Sequence, residues 1–165
     1  MNLRSCLVVA LVAGWVGGVP GVQASGGLAE GLTAPWQWRR MRVRGGVGSE
    51  AVTALAIDPR SGVLAIGGKD GVSLLRNGEL LSRLSRVGAV TDLAFARDGA
   101  LWVGTPRRLW HRSPEGRIEE VSPGQGEAAR FVHRIATLGA LTVVTTEAGA
   151  YAHGKEQPWQ RLGPD

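Results

Sequence analysis

VTDLAFARDGALWVGT, residues 90–105, returns twice in altered form in the same chain, as VTALAIDPRSGVLAIGG at 52–68 and as VHRIATLGALTVVTT at 132–146. The starts, Val52, Val90 and Val132, lie 38 and then 42 residues apart. Each copy reads as strand, turn, strand. Leu55 and Ile57, Leu93 and Phe95, and Ile135 fall on one face by the two-residue alternation of a strand, with Ala54, Ala56, Ala94 and Ala136 on the other. Large side chains of one unit can therefore pack on small ones of the next. Asp58-Pro-Arg-Ser-Gly62 and Arg97-Asp-Gly99 have the composition of tight hairpin turns. The second strands, Leu64–Ile66, Leu101–Val103 and Leu141–Val144, are apolar on both sides and need cover on both faces.

A third strand follows in each unit: Gly71–Leu75, Leu109–Arg112 and Gly149–His153. Turns at Asn77-Gly78, Glu115-Gly116 and near Gly154 lead to outer strands at Leu80–Leu84, Arg117–Val121 and Trp159–Leu162. Four strands repeated at a period near 40 residues form the pattern of a β-propeller. The expected fold is all-β: three four-stranded antiparallel blades at about 51–86, 89–122 and 131–163, an incomplete ring, since closure takes about 4 to 8 blades. Twenty-five glycines and eight prolines fit short strands joined by tight turns. Pro35-Trp36-Gln37 repeats as Pro158-Trp159-Gln160 in the third outer strand, which predicts an extra outer strand over 35–43. Open blade faces and edges favour self-association.

The first residues have the order of an export signal. Arg4 precedes an apolar run from Cys6 to Val16, then Gly17, Gly18, Pro20 and Gly21 break the helix before Val22-Gln23-Ala24. Residues 1–24 are expected to be removed between Ala24 and Ser25, leaving a linker over 25–34 and a propeller segment over 35–165. The apolar run is shorter than the roughly 20 residues that span a bilayer, so no stable membrane insertion is expected after cleavage. Cys6, the only cysteine, would leave with the signal. The expected location is periplasmic or extracellular.

The net charge is +5, carried by arginine: Lys69 and Lys155 are the only lysines. Arg39, Arg40, Arg42 and Arg44 cluster, as do Arg107, Arg108 and Arg112. No nucleic-acid module accompanies these clusters, so nucleic acid is not an expected partner. His111, His133 and His153 have no cysteine or carboxylate at ligand spacing, which gives no metal site and no cofactor. Glu119 and Glu120 are adjacent strand residues and point to opposite faces, unlike the carboxylate pair of a glycosidase. No Gly-x-Ser-x-Gly elbow occurs, and Gly45–Gly48 and Gly124–Gly126 read as linkers between units rather than phosphate loops. Trp102 and Trp110, on strands, are expected between blades rather than on a sugar. No catalytic residue is assigned. Candidate binding residues lie in the turns joining second and third strands, Lys69, Asp70, Arg107 and Arg108, with Glu147-Ala148 in the third copy; turns escape the packing demands on strands.

Residues Ala89–Thr105 resemble the repeat of two-component regulator propellers, with its Val-initiated strand, Asp-Gly and Leu-Trp-Val-Gly-Thr. That resemblance implies a periplasmic sensor region of the kind that precedes histidine kinases or cyclases. Val52–Pro59, with Gly71-Val72 and Pro158-Trp159-Gln160, equally resembles sialidase-like and photosystem-assembly (Ycf48-like) propellers. Ser113-Pro-Glu-Gly116 departs from the sialidase Ser-x-Asp-x-Gly-x-x-Trp box in spacing and lacks its tryptophan, which weighs against catalysis. The expectation is an exported, non-enzymatic module that binds a protein or small ligand, of sensor or assembly-factor type. The alternatives are a sialidase-like hydrolase or lyase and a non-functional remnant of a longer propeller protein.

Overall fold

The computed structural model of the chain describes residues 51–154 and 157–163. The expected signal, linker and extra outer strand, over 1–24, 25–34 and 35–43, lie outside the described residues. Three four-stranded antiparallel sheets make up the described part. The first runs β1 (Val52–Ile57), β2 (Leu64–Gly68), β3 (Gly71–Arg76), β4 (Glu79–Leu84). The second runs β5 (Asp92–Phe95), β6 (Leu101–Gly104), β7 (Leu109–Arg112), β8 (Ile118–Val121). The third runs β9 (Val132–Leu138), β10 (Leu141–Thr146), β11 (Gly149–His153), β12 (Gln160–Leu162). Each sheet keeps its strands in chain order. These are blades of an incomplete β-propeller, with a 3-10 turn at Ser85–Val87 as the described helical element.

Local chemistry sets the hairpins. Asn77 and Gly78 both take positive φ, 53° and 83°, between β3 and β4. That is the turn whose twist matches two antiparallel strands, and asparagine followed by glycine is the pair that tolerates it. Between β1 and β2, Asp58 accepts from the Arg60 backbone N–H at 3.0 Å and from the Ser61 hydroxyl. Asp58 is 6% exposed, and its carboxylate serves as the turn's internal acceptor.

The seams between blades hold the cores. Leu93 enters a cluster with Ala54, Ala65, Leu74, Leu101 and Val103 between the first and second blades. Trp102, Leu109, Val132, Ile135 and Val144 fill the seam between the second and third, with Ala94 and Ala96 packed against them. Large side chains of one blade thus meet alanines of the previous one, and each buried Leu, Ile or Val contributes about 1.5–3 kcal/mol.

Two glycines let the blades approach. A Cβ on Gly67 would stand 2.6 Å from Val90 Cγ1, and one on Gly104 would stand 2.6 Å from Val132 Cγ1. They occupy the same place in the repeat, Gly67 one residue before the end of β2 and Gly104 at the end of β6. The third blade has Thr145 there, exposed on its outward face. Here the structure departs from an expectation: β2 and β6 are buried along their whole length, whereas β10 alternates. Leu141 is 41% exposed and Leu138, at the adjoining turn, 80%. Among the described residues no sheet covers that side of the third blade.

Candidate functional site

Antiparallel order puts the turns joining second and third strands at one end of every blade, and the hairpins joining first to second and third to fourth at the other. Lys69 and Asp70 form the β2–β3 turn, Thr105–Arg108 the β6–β7 loop, and Glu147-Ala148 the β10–β11 turn. The connectors between blades, 85–91 and 122–131, reach the same end.

The β6–β7 loop is locked from beneath. Thr105, 4% exposed, accepts at Oγ1 from the Arg108 N–H at 2.9 Å and the Arg107 N–H at 3.3 Å, and donates to the Arg108 carbonyl at 2.8 Å. Thr146 repeats the device more loosely, accepting from the Ala148 N–H and donating to the Gly149 carbonyl, each at 3.1 Å. A hydroxyl that satisfies the turn's own backbone holds the loop shape without help from the side chains displayed on it.

The two displayed arginines differ. Arg108 pairs with Glu120 of β8, and its guanidinium carbon lies 5.8 Å from the Trp110 ring centre. Both members of that pair are about half exposed, so the bridge orients Arg108 more than it stabilises the fold. Arg107 is exposed and has no ion pair among the described residues. On one side of the loop, Arg86, Val87, Pro106, Arg107, Arg108 and Trp110 border a hollow of about 630 Å³. On the other, Arg107, Arg108, Arg130, Phe131, Glu127 and Glu147 border one of about 610 Å³. The Trp110 indole Nε1 is buried and has no hydrogen-bond partner among the described residues.

Of the four residues expected to bind, the structure brings Arg107 and Arg108 into both hollows. Lys69 and Asp70 are exposed at the same end and border neither. Sequence reasoning missed Arg86 and Arg130. Both sit in connectors, one just after β4 and one just before β9, and their place beside the repeat boundaries is the signal that marks them.

The remaining polar groups are structural neighbours. Glu119 and Glu120 diverge as expected, one to His111 Nδ1 at 3.1 Å and the other to Arg108. Trp102 is 5% exposed, packed between the second and third blades beside His111 and Trp159, with ring centroids 4.5 and 5.7 Å away. Gly124, expected as a linker residue, also receives the Tyr151 ring; a Cβ there would meet the phenol oxygen at 2.7 Å. Among the described residues no group of three or more His, Cys, Asp or Glu is placed to hold a metal ion. No helix among them is long and apolar enough to cross a membrane.

No family profile and no curated protein sequence matches this chain. Among solved structures, that of YCF48 bound to D1 peptide aligns with a TM-score of 0.58 at 17% sequence identity, over 76% of this chain and 43% of that one. The likeness lies in the propeller fold, and this chain spans less than half the length of that structure.

Proposed function

We propose that this chain is an exported, non-enzymatic propeller module that binds an acidic segment of a partner protein at its arginine-bearing end, in an assembly-factor or sensor-type role. One observation carries the reading: Arg107 stands without an ion pair on a loop locked by Thr105, between two hollows that also present Arg86 and Arg130. A guanidinium on a fixed loop with open space on either side suits a carboxylate, which it can hold through two parallel hydrogen bonds. Peptide binding by a propeller of the same fold, in the YCF48 structure, supports a protein partner. Export rests on Arg4, the apolar run to Val16 and the small residues before Ser25.

Fluorescence anisotropy with labelled peptides tests the binding. A glutamate-rich peptide should bind, a lysine-rich one of equal length should not, and Arg107→Glu with Arg130→Glu should abolish the difference. Equal affinity for both peptides, or an unchanged affinity in the variant, would refute the reading. Export is checked separately by the mass of the mature chain, which should begin at Ser25.

A further inference from the structure

At the opposite end of the blades, between the first and second, lies a cavity of about 450 Å³, within the range of small-molecule sites. Three arginines from three separate elements border it: Arg60 in the β1–β2 turn, Arg76 at the end of β3 and Arg112 at the end of β7. None of the three has an ion pair among the described residues. Two carboxylates, Asp58 and Asp98, border the same cavity. Asp58 gives one oxygen to the Arg60 backbone N–H and the other to the Ser61 hydroxyl. Asp98 uses Oδ1 for the Ala100 N–H, and only its backbone carbonyl meets Arg60, whose Nη1 donates to it at 3.0 Å. Both carboxylates hold turns and keep their charge, and the Arg60 charge acts on Asp58, so Arg76 and Arg112 are the two guanidiniums left without a carboxylate partner among the described residues.

The rest of the wall is mixed: Asp58, Asp98, Ser61 and Ser82 are polar, and Val63, Leu74, Leu81, Phe95 and Pro114 are apolar. Leu74 is buried at its base, Phe95 is half-buried, and Leu81 stands 52% exposed at its side. Arg60 and Arg76 are exposed and Arg112 is half-buried, so an anion in the cavity would meet like charges from three elements, and an exposed leucine gains from apolar cover. We infer that this cavity is a binding site for a small amphiphilic anion, a single anionic head held by Arg76 and Arg112 with Arg60 beside them, and a short hydrocarbon tail laid over Leu74, Phe95 and Leu81. The site is separate from the arginine-bearing loop end and stands or falls independently of the peptide reading.

Octanoate is the probe, titrated into the full chain by calorimetry and followed by the Nε–Hε NMR signals of Arg76 and Arg112. The native chain should bind octanoate and shift both signals. Acetate, which is the head without the tail, and 1-octanol, which is the tail without the charge, should bind at least about tenfold more weakly. Arg76→Gln combined with Arg112→Gln should weaken octanoate by about tenfold or more, since each arginine supplies a charge-assisted hydrogen bond. Octanol binding as tightly as octanoate, octanoate binding that leaves the two arginine signals in place, or no octanoate binding to the native chain at about 1 mM would each overturn the proposal. The octanoate and octanol comparison needs no variant, so a double variant that fails to fold leaves the test intact.

Discussion

The Thr53 hydroxyl donates to the Val90 carbonyl at 2.7 Å, a bond from the inner strand of one blade to the residue that leads into the next. Thr91 makes the same bond to the Val132 carbonyl, also at 2.7 Å. Each seam is therefore a joint of two contacts: Val90 and Val132 pack backwards onto Gly67 and Gly104, and Thr53 and Thr91 reach forwards to the Val90 and Val132 carbonyls. Thr91→Val should lower stability by about 1–2 kcal/mol, because the Val132 carbonyl loses its side-chain donor in a part-buried setting. Urea unfolding of the single variants and of the pair with Thr53→Val measures it. The two losses should add, since the bonds share no partner; an unchanged midpoint would remove the joint from the account.

Gly104→Ala should cost about 1–3 kcal/mol, as the new methyl meets Val132 Cγ1 well inside contact distance. Adding Val132→Ala should return part of that loss by opening the space. Thermal unfolding of the two single variants and the double variant reads the coupling directly, and a double variant no better than the sum of the singles would show that the seam does not depend on this contact.

Burial opposes ionisation of Asp58, yet the Ser61 hydroxyl, the backbone N–H groups of Arg60 and Ser61 and the Arg60 charge outweigh it and hold the carboxyl below the ordinary aspartate range. A depressed folded-state value means stability present above the unfolded value and lost as pH falls through the folded one. Unfolding midpoints should therefore drop as pH falls below about 3.9. Asp58→Asn should be less stable at neutral pH and should lack this share of the decline. Parallel slopes for the two proteins over that window would contradict the assignment.

Arg107→Gln should leave the unfolding midpoint within about 0.5 kcal/mol of the native chain, as expected of an exposed side chain away from packing. Thr105→Val should instead cost about 1 kcal/mol or more and loosen the loop, because two backbone N–H groups lose their acceptor. The pair separates display from support. Calorimetry alongside peptide titration would show Arg107→Gln losing affinity at constant stability.

The blades were legible from sequence because each carries its own instructions: an alternating strand, a turn such as Arg97-Asp-Gly99, a doubly apolar second strand. Arg107 and Arg108 were legible as turn residues. The hollows around them were not, since Arg86 and Arg130 sit in connectors where the period conveys nothing. The site at the hairpin end was hidden for a related reason. Arg76 and Arg112 belong to different repeats, and nothing in the order of residues says that the ends of β3 and β7 border one cavity. The glycines of the seams were visible as repeat positions, but the reason for them is the valine of the next blade.

Thr145 gives that last point a direction. A fourth blade, or the first blade of another copy, arriving in the pose of the second and third would set its valine methyl on the Thr145 Cβ, where Gly67 and Gly104 offer open space. The joint is thus one that the third blade does not offer in the same form. A neighbour that imitated the internal seams at this face would have to clear the Thr145 Cβ, beside the exposed Leu138 and Leu141.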